Sequence, residues 1–149
     1  MIFESNLKNI LMKHLLVTLF LITVPLFGVT AKKKEMREQD KLMVVWTSGD
    51  RDVALKVCFM YTNAAKKMKW FDDVYLIIWG PSAKLLSEDK ELQEKIKMMQ
   101  KVGVVVEACI NCADMYGVSD DLRKMDIDVK AMGKPLTDRL KQNWKQLNF

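Results

Sequence analysis

From Lys41 onward the chain alternates short, continuous apolar runs with longer amphipathic stretches. Lys41–Thr47 (KLMVVWT), Val74–Trp79 (VYLIIW) and Gly103–Ala108 (GVVVEA) are apolar at consecutive positions, the pattern of strands covered on both faces. Between the first two, Ala54, Val57, Cys58, Tyr61, Ala64, Ala65 and Met68 recur at the spacing of one helix face. Ser82–Lys101 reads as helix in two pieces, with a break near Ser87–Asp89 and Ser87 as the cap of the second piece. A short helix starts near Asn111, and another runs Ser119–Met125 with Ser119 as its cap. Ile127–Met132 predicts a last strand, at a sheet edge because Asp128 and Lys130 alternate with apolar residues. Leu136–Leu147 predicts a closing amphipathic helix with Pro135 in its first turn.

Strands that alternate with helices predict an α/β domain of three layers, with a mainly parallel sheet of four to five strands. Right-handed crossovers then gather the loops at the carboxyl ends of the strands along one edge, where open α/β sheets bind ligands. Three segments should meet there: Ser48–Asp50, Gly80–Ser82 and Cys109–Cys112.

The residues before this pattern read differently. Met12-Lys13-His14 is a short basic start, Leu15–Val29 is almost wholly apolar, and Val29-Thr30-Ala31 supplies small residues before Lys32-Lys33-Lys34. This is the layout of an export signal cleaved after Ala31, with translation starting at Met12. The domain plan is therefore a leader at 1–31, a polar tail at 32–40 and one α/β domain at 41–149. The apolar run is shorter than the ~20 residues of a spanning helix, so a membrane link is expected only through an uncleaved leader.

Removing residues 1–31 from the 149 leaves 118, enough for one hydrophobic core, and takes the net charge from +5 to +4. The dense basic clusters, Lys32–Lys34 and Lys66, Lys67 and Lys69, lack interleaved aromatics and read as solvated surface, not as a nucleic-acid face. The single histidine, His14, lies inside the leader. The mature chain would then have no imidazole, which excludes Ser-His and Cys-His catalysis and His-ligated metals.

The chemistry that remains concentrates in Cys109-Ile110-Asn111-Cys112, two thiols three residues apart at a strand-to-helix junction. Helix N-terminal amides favour a thiolate and lower its pKa below the free value of about 8.5, which suits thiol–disulfide exchange or persulfide chemistry. An inert structural disulfide is the competing reading, since export leads to an oxidising compartment. One C-x-x-C without a second pair or a histidine supplies two ligands only, so no metal is expected. Cys58, on the core face of the first helix, reads as a small hydrophobe. Ser48-Gly49-Asp50 and Gly80-Pro81-Ser82 open helices after strands, where their amides either cap the helix or hold a small anion such as a sulfur oxyanion or a carboxylate. Neither matches a P-loop or a dinucleotide fingerprint, and no cofactor is expected. Asp120 and Asp121 follow the Ser119 cap and complement the helix dipole.

The order Thr47-Ser48-Gly49-Asp50, Trp79-Gly80-Pro81-Ser82, Ala108-Cys109-Ile110-Asn111-Cys112-Ala113-Asp114 and Met132-Gly133-Lys134-Pro135-Leu136-Thr137 resembles the DsrE/DsrF-like proteins, most of all their small exported members. The similarity spans roughly Leu42 to Lys141. It implies a flavodoxin-like parallel sheet, assembly into homotrimers or hexamers, and membership of a group whose better-known members relay sulfur as cysteine persulfides. Their active cysteine stands in the loop after a strand, and Cys109 is the position here that is similar, with Cys112 next in line. Two features depart from that pattern. The chain ends in a helix at Phe149 with no obvious fifth strand, and the leader places it away from cytoplasmic sulfur relays.

The sequence thus supports an exported sulfur-handling or thiol-redox protein, with Cys109 attacking or carrying the persulfide, Cys112 resolving, and Ser48, Gly49, Asp50, Gly80, Ser82 and Asn111 around the ligand. Its expected partner is a sulfur-donor or thiol-bearing protein or a small sulfur compound. A non-enzymatic anion-binding or assembly module with a structural Cys109–Cys112 bridge is the alternative. A thioredoxin-like oxidoreductase fits less well, because the pair comes late in the chain and no aromatic immediately precedes Cys109.

Overall fold

The computed structural model describes residues 40–149, so the leader, the Met12 start, the Ala31 cleavage point and most of the polar tail lie outside the described residues. Five strands form one sheet: β1 Lys41–Trp46, β2 Asp73–Ile78, β3 Val105–Cys109, β4 Asp128–Lys130 and β5 Lys145–Asn148. Their spatial order is β4-β3-β2-β1-β5. All four pairings are parallel, with Trp46 beside Ile78, Ile78 beside Ala108, and Cys109 beside Lys130.

The helices are α1 Arg51–Val53, a π-helical stretch Ala54–Cys58, α2 Phe59–Lys67, α3 Pro81–Glu88, α4 Lys90–Lys101, α5 Ile110–Met115, α6 Ser119–Arg123 and α7 Gly133–Lys141. The connections from β1 to β4 step in one direction across the sheet, so right-handed crossovers place their helices on one face. The β4-to-β5 connection returns to the opposite edge and puts α7 on the other face.

The core is correspondingly uneven. On the helix-rich face, Leu42, Val44 and Trp46 of β1 join Leu76, Ile78, Val106 and Ala108 under Cys58, Phe59, Leu86, Leu92 and Ile96. Alternate strand residues point the other way, where Met43, Val45, Ile77 and Cys109 form a smaller cluster with Cys112 and Met132, flanked by Leu136 and Trp144. Among the described residues, only α7 and the Trp144 segment lie over that second group.

The expected α/β architecture with a parallel sheet is what the chain forms, and β4 is the edge strand that its alternating pattern predicted. Several boundaries differ. The closing helix stops at Lys141, and the residues predicted to extend it to Leu147 form β5 instead, so a fifth strand exists. Asn143 takes φ +59 and turns the chain, and β5 then completes the free edge of β1 through backbone bonds, Leu42 beside Lys145 and Val45 beside Asn148. A pairing made by main-chain groups leaves little trace in side-chain pattern, and of β5 only Leu147 is even half-buried.

The first helix is not uniform either. The wider π turn brings both Cys58 and Phe59 to the core, and it leaves Val57 47% and Met68 63% exposed although both fall on the predicted face. Asp89, not Ser87, caps α4 by accepting from Leu92 N at 3.0 Å. Ser119 is the first residue of α6 rather than its cap, and its hydroxyl donates to Asp114.

Candidate functional site

Cys109 is the last residue of β3 and at the same time the residue before α5, with φ −72 and ψ 115. Strand alternation turns its side chain to the second face, while Cys112, one helical turn on, reaches back to the same cluster. Ala113, the next residue, packs into the main core, so α5 straddles the carboxyl edge of the sheet. The pair is enclosed, at 4% and 7% exposure. All three cysteines are free thiols.

Burial pushes the Cys112 thiol above its ordinary value, and its hydrogen bond to Cys109 pushes the same way, because the proton is what that bond uses. The backbone N–H of Gly80 donates to the Cys112 sulfur and works against both. Gly80 can aim that amide because it holds φ +74 and ψ −136, a conformation that a side chain would strain. The β1 loop closes in from the other side, where a Cβ on Gly49 would stand 3.3 Å from Pro81 Cβ. The three predicted segments therefore do converge.

Within that convergence most of the expected anion-binding groups are used by the fold. Asp50 caps α1, its Oδ1 accepting from Asp52 N at 2.7 Å and Val53 N at 3.2 Å. Ser48 Oγ accepts from Asp50 N, and Ser48 N donates to the Phe149 oxygen, which Thr47 also binds through N and Oγ1. Ser82 is buried; its hydroxyl donates to Trp46 O at 2.6 Å and accepts from Trp79 N at 3.1 Å, tying β1 to the end of β2. Asn111 is exposed on the first turn of α5.

Cys58 lies on the opposite face of the sheet, fully buried in the main core, and burial pushes its thiol up to about 12. It is the inert cysteine that the pattern suggested.

Sequence reasoning missed a charged cluster beside the pair. Glu107 lies in β3 two residues before Cys109, on the same face, with its side chain 3% exposed. It accepts from Arg139 of α7, Nη2 to Oε1 at 2.8 Å with a second bond from Nη1, and from Lys130 of β4 at 2.8 Å. Lys130, the register partner of Cys109, also pairs with Asp128. The Arg139 guanidinium rests 4.3 Å from the Tyr75 ring centroid and 5.2 Å from that of Trp144. Burial would raise the Glu107 pKa, but the Arg139 and Lys130 bonds and charges outweigh it and hold the carboxyl below its usual range. The signal was present as a lone acid inside an apolar strand run, which a buried cation must answer.

No group of three or more His, Cys, Asp or Glu side chains that could hold a metal occurs among the described residues. No helix among them is long and apolar enough to cross a membrane.

The model of the DsrE/DsrF-like family matches residues 40–149, the whole of the sheet and its helices. The chain belongs to this family. Members of the DsrE/DsrF-like family are generally linked to sulfur relay. Among solved structures, a conserved protein of unknown function from Bacteroides thetaiotaomicron is 34% identical, with a TM-score of 0.71 over 74% of this chain and 95% of that one. The ychN protein of E. coli (16% identity, TM-score 0.60) and a protein of unknown function from Methanobacterium thermoautotrophicum (18%, 0.59) each match over 74% of this chain and 100% of their own, and show the same DsrE-like fold. A search of the curated proteins finds no match.

Proposed function

We propose that this DsrE-like protein carries sulfur as a persulfide on Cys109, or exchanges disulfides there, with Cys112 as the resolving thiol. The observation that carries the reading is the paired geometry: two free thiols enclosed in one cluster at the carboxyl edge of a parallel sheet. Cys112 retains its proton more firmly than a free thiol, which suits a residue that acts after Cys109.

In the transfer step, the Cys109 thiolate attacks the outer sulfur of a donor persulfide. The new S–S bond leaves Cys109 as a persulfide and the donor as a thiolate. An acceptor thiolate attacking the outer sulfur regenerates Cys109, so the cycle is redox-neutral. Alternatively, Cys112 attacks the inner sulfur, which forms the Cys109–Cys112 disulfide and expels hydrosulfide; a dithiol partner then reduces the bridge. Either route requires a partner bearing a thiol or persulfide. The apolar run Leu15–Val29 supports placing this chemistry outside the cytoplasm, and the family resemblance supports a homo-oligomer.

The test is mass spectrometry of the reduced protein after exposure to glutathione persulfide and rapid alkylation. One added sulfur on the Cys109 peptide, lost in Cys109→Ser and longer-lived in Cys112→Ser, is the expected result. A protein that shows only a stable Cys109–Cys112 bridge, with neither thiol taking up sulfur, supports the structural-disulfide module instead.

A further inference from the structure

The cysteine pair is enclosed, yet sulfur transfer needs an incoming sulfur in line with Cys109, so something covering the pair has to move. On the helix-rich face the cover is the main core. On the second face it is, among the described residues, α7 with the Trp144 segment, and α7 is attached in an unusual way. None of the residues of α7 is buried. Its hold on the sheet consists of Leu136 against the small cluster around the cysteines, Met132 just before it, and Arg139. Arg139 combines the double contact to Glu107 with the faces of Tyr75 and Trp144. The helix is bounded by Gly133 at its start and, two residues beyond its end, by Asn143 in the left-handed region, the two joints about which it would swing.

We infer that α7 is a hinged cover over Cys109 and Cys112, latched by the Arg139–Glu107 pair, and that access to the thiols runs through its displacement. This deepens the proposed function, on which its biological meaning rests. The arrangement of charges makes the open form accessible. Glu107 is shared by two cations, so when Arg139 leaves, Lys130 on the neighbouring strand still satisfies the carboxylate. No unpaired buried anion is created, which is the event that makes breaking a buried ion pair costly. Arg139 itself moves into water. The apolar surface uncovered is confined to the smaller cluster, because the main core lies on the far side of the sheet and stays closed.

Cys58 provides an internal control, since it sits in that main core and becomes reachable only when the domain unfolds. The experiment uses the full, reduced chain and follows alkylation of each cysteine by peptide mass spectrometry over increasing urea, with iodoacetamide as the probe. Cys109 and Cys112 should label faster than Cys58 and with a much shallower urea dependence, the mark of a local opening. Arg139→Met should speed their labelling in the absence of urea by about tenfold, the loss of a charge-assisted contact, and leave the shallow slope in place. If Cys109 and Cys112 follow the rate and urea slope of Cys58, or if Arg139→Met leaves their rates at the wild-type value, the cover is not a gate. Should the variant fail to fold, the urea slopes of the wild type decide alone. No sulfur donor enters the assay, so a failure here is separate from a failure of persulfide loading.

Discussion

Glu107 is the hub of the charged cluster, and its replacement should cost more than replacement of either cation. In Glu107→Gln the side chain keeps its shape and loses its charge, which removes the partner of Arg139, whose side chain is 13% exposed, and one partner of Lys130, 36% exposed. An uncompensated buried charge costs about 3–5 kcal/mol. Lys130 retains Asp128, and Arg139 retains two aromatic faces worth about 0.5–2 kcal/mol, so the net loss should be about 2–3 kcal/mol. Arg139→Met leaves Glu107 paired with Lys130 and keeps an apolar stem over Tyr75, for a loss of about 1–2 kcal/mol. The double variant should lose less than the sum, because one bond is counted twice. Urea unfolding at pH 7, followed by tryptophan fluorescence and far-UV circular dichroism, measures all three with an unchanged slope. Equal losses for Glu107→Gln and Arg139→Met, or strict additivity in the double variant, would refute the hub.

The same carboxyl gives a pH signature: its folded pKa lies below the unfolded value of about 4.3, so its contribution is complete above that value and lost as pH falls through the folded pKa. The stability gap between wild type and Glu107→Gln should therefore hold from pH 7 to about 5 and narrow on further acidification. Ser82→Ala removes a buried hydroxyl that joins Trp46 O and Trp79 N, and should cost about 1–3 kcal/mol in the same urea assay. Gly80→Ala introduces a side chain at φ +74, with a cost of about 1–3 kcal/mol. It also turns the amide away from Cys112, so the Cys112 thiol should titrate at higher pH in an alkylation-rate profile. Cys58 should stay unmodified by iodoacetamide at pH 8 in the folded protein, read by peptide mass, because its thiol titrates at about 12.

The alternation of apolar runs and amphipathic stretches determined the α/β class, four of the five strands and the gathering of the three loops at one edge. Each of these follows from periodicity and crossover handedness, which act along the chain. The position of Cys109 at the end of a buried run was legible for the same reason, as was the burial of Cys58. Only the tertiary structure decided the rest. The fifth strand depends on a free edge of β1 that exists once the sheet is assembled, and it is held by backbone groups that every residue carries. The uses of Ser48, Asp50 and Ser82 depend on which carbonyls and amides lie across from them. The cluster of Glu107, Lys130 and Arg139 draws on three elements separated by up to 32 residues, and local pattern cannot report a partner at that distance. That cluster also anchors α7 over two thiols at a strand end, because the crossover that returns across the sheet places that helix on their face.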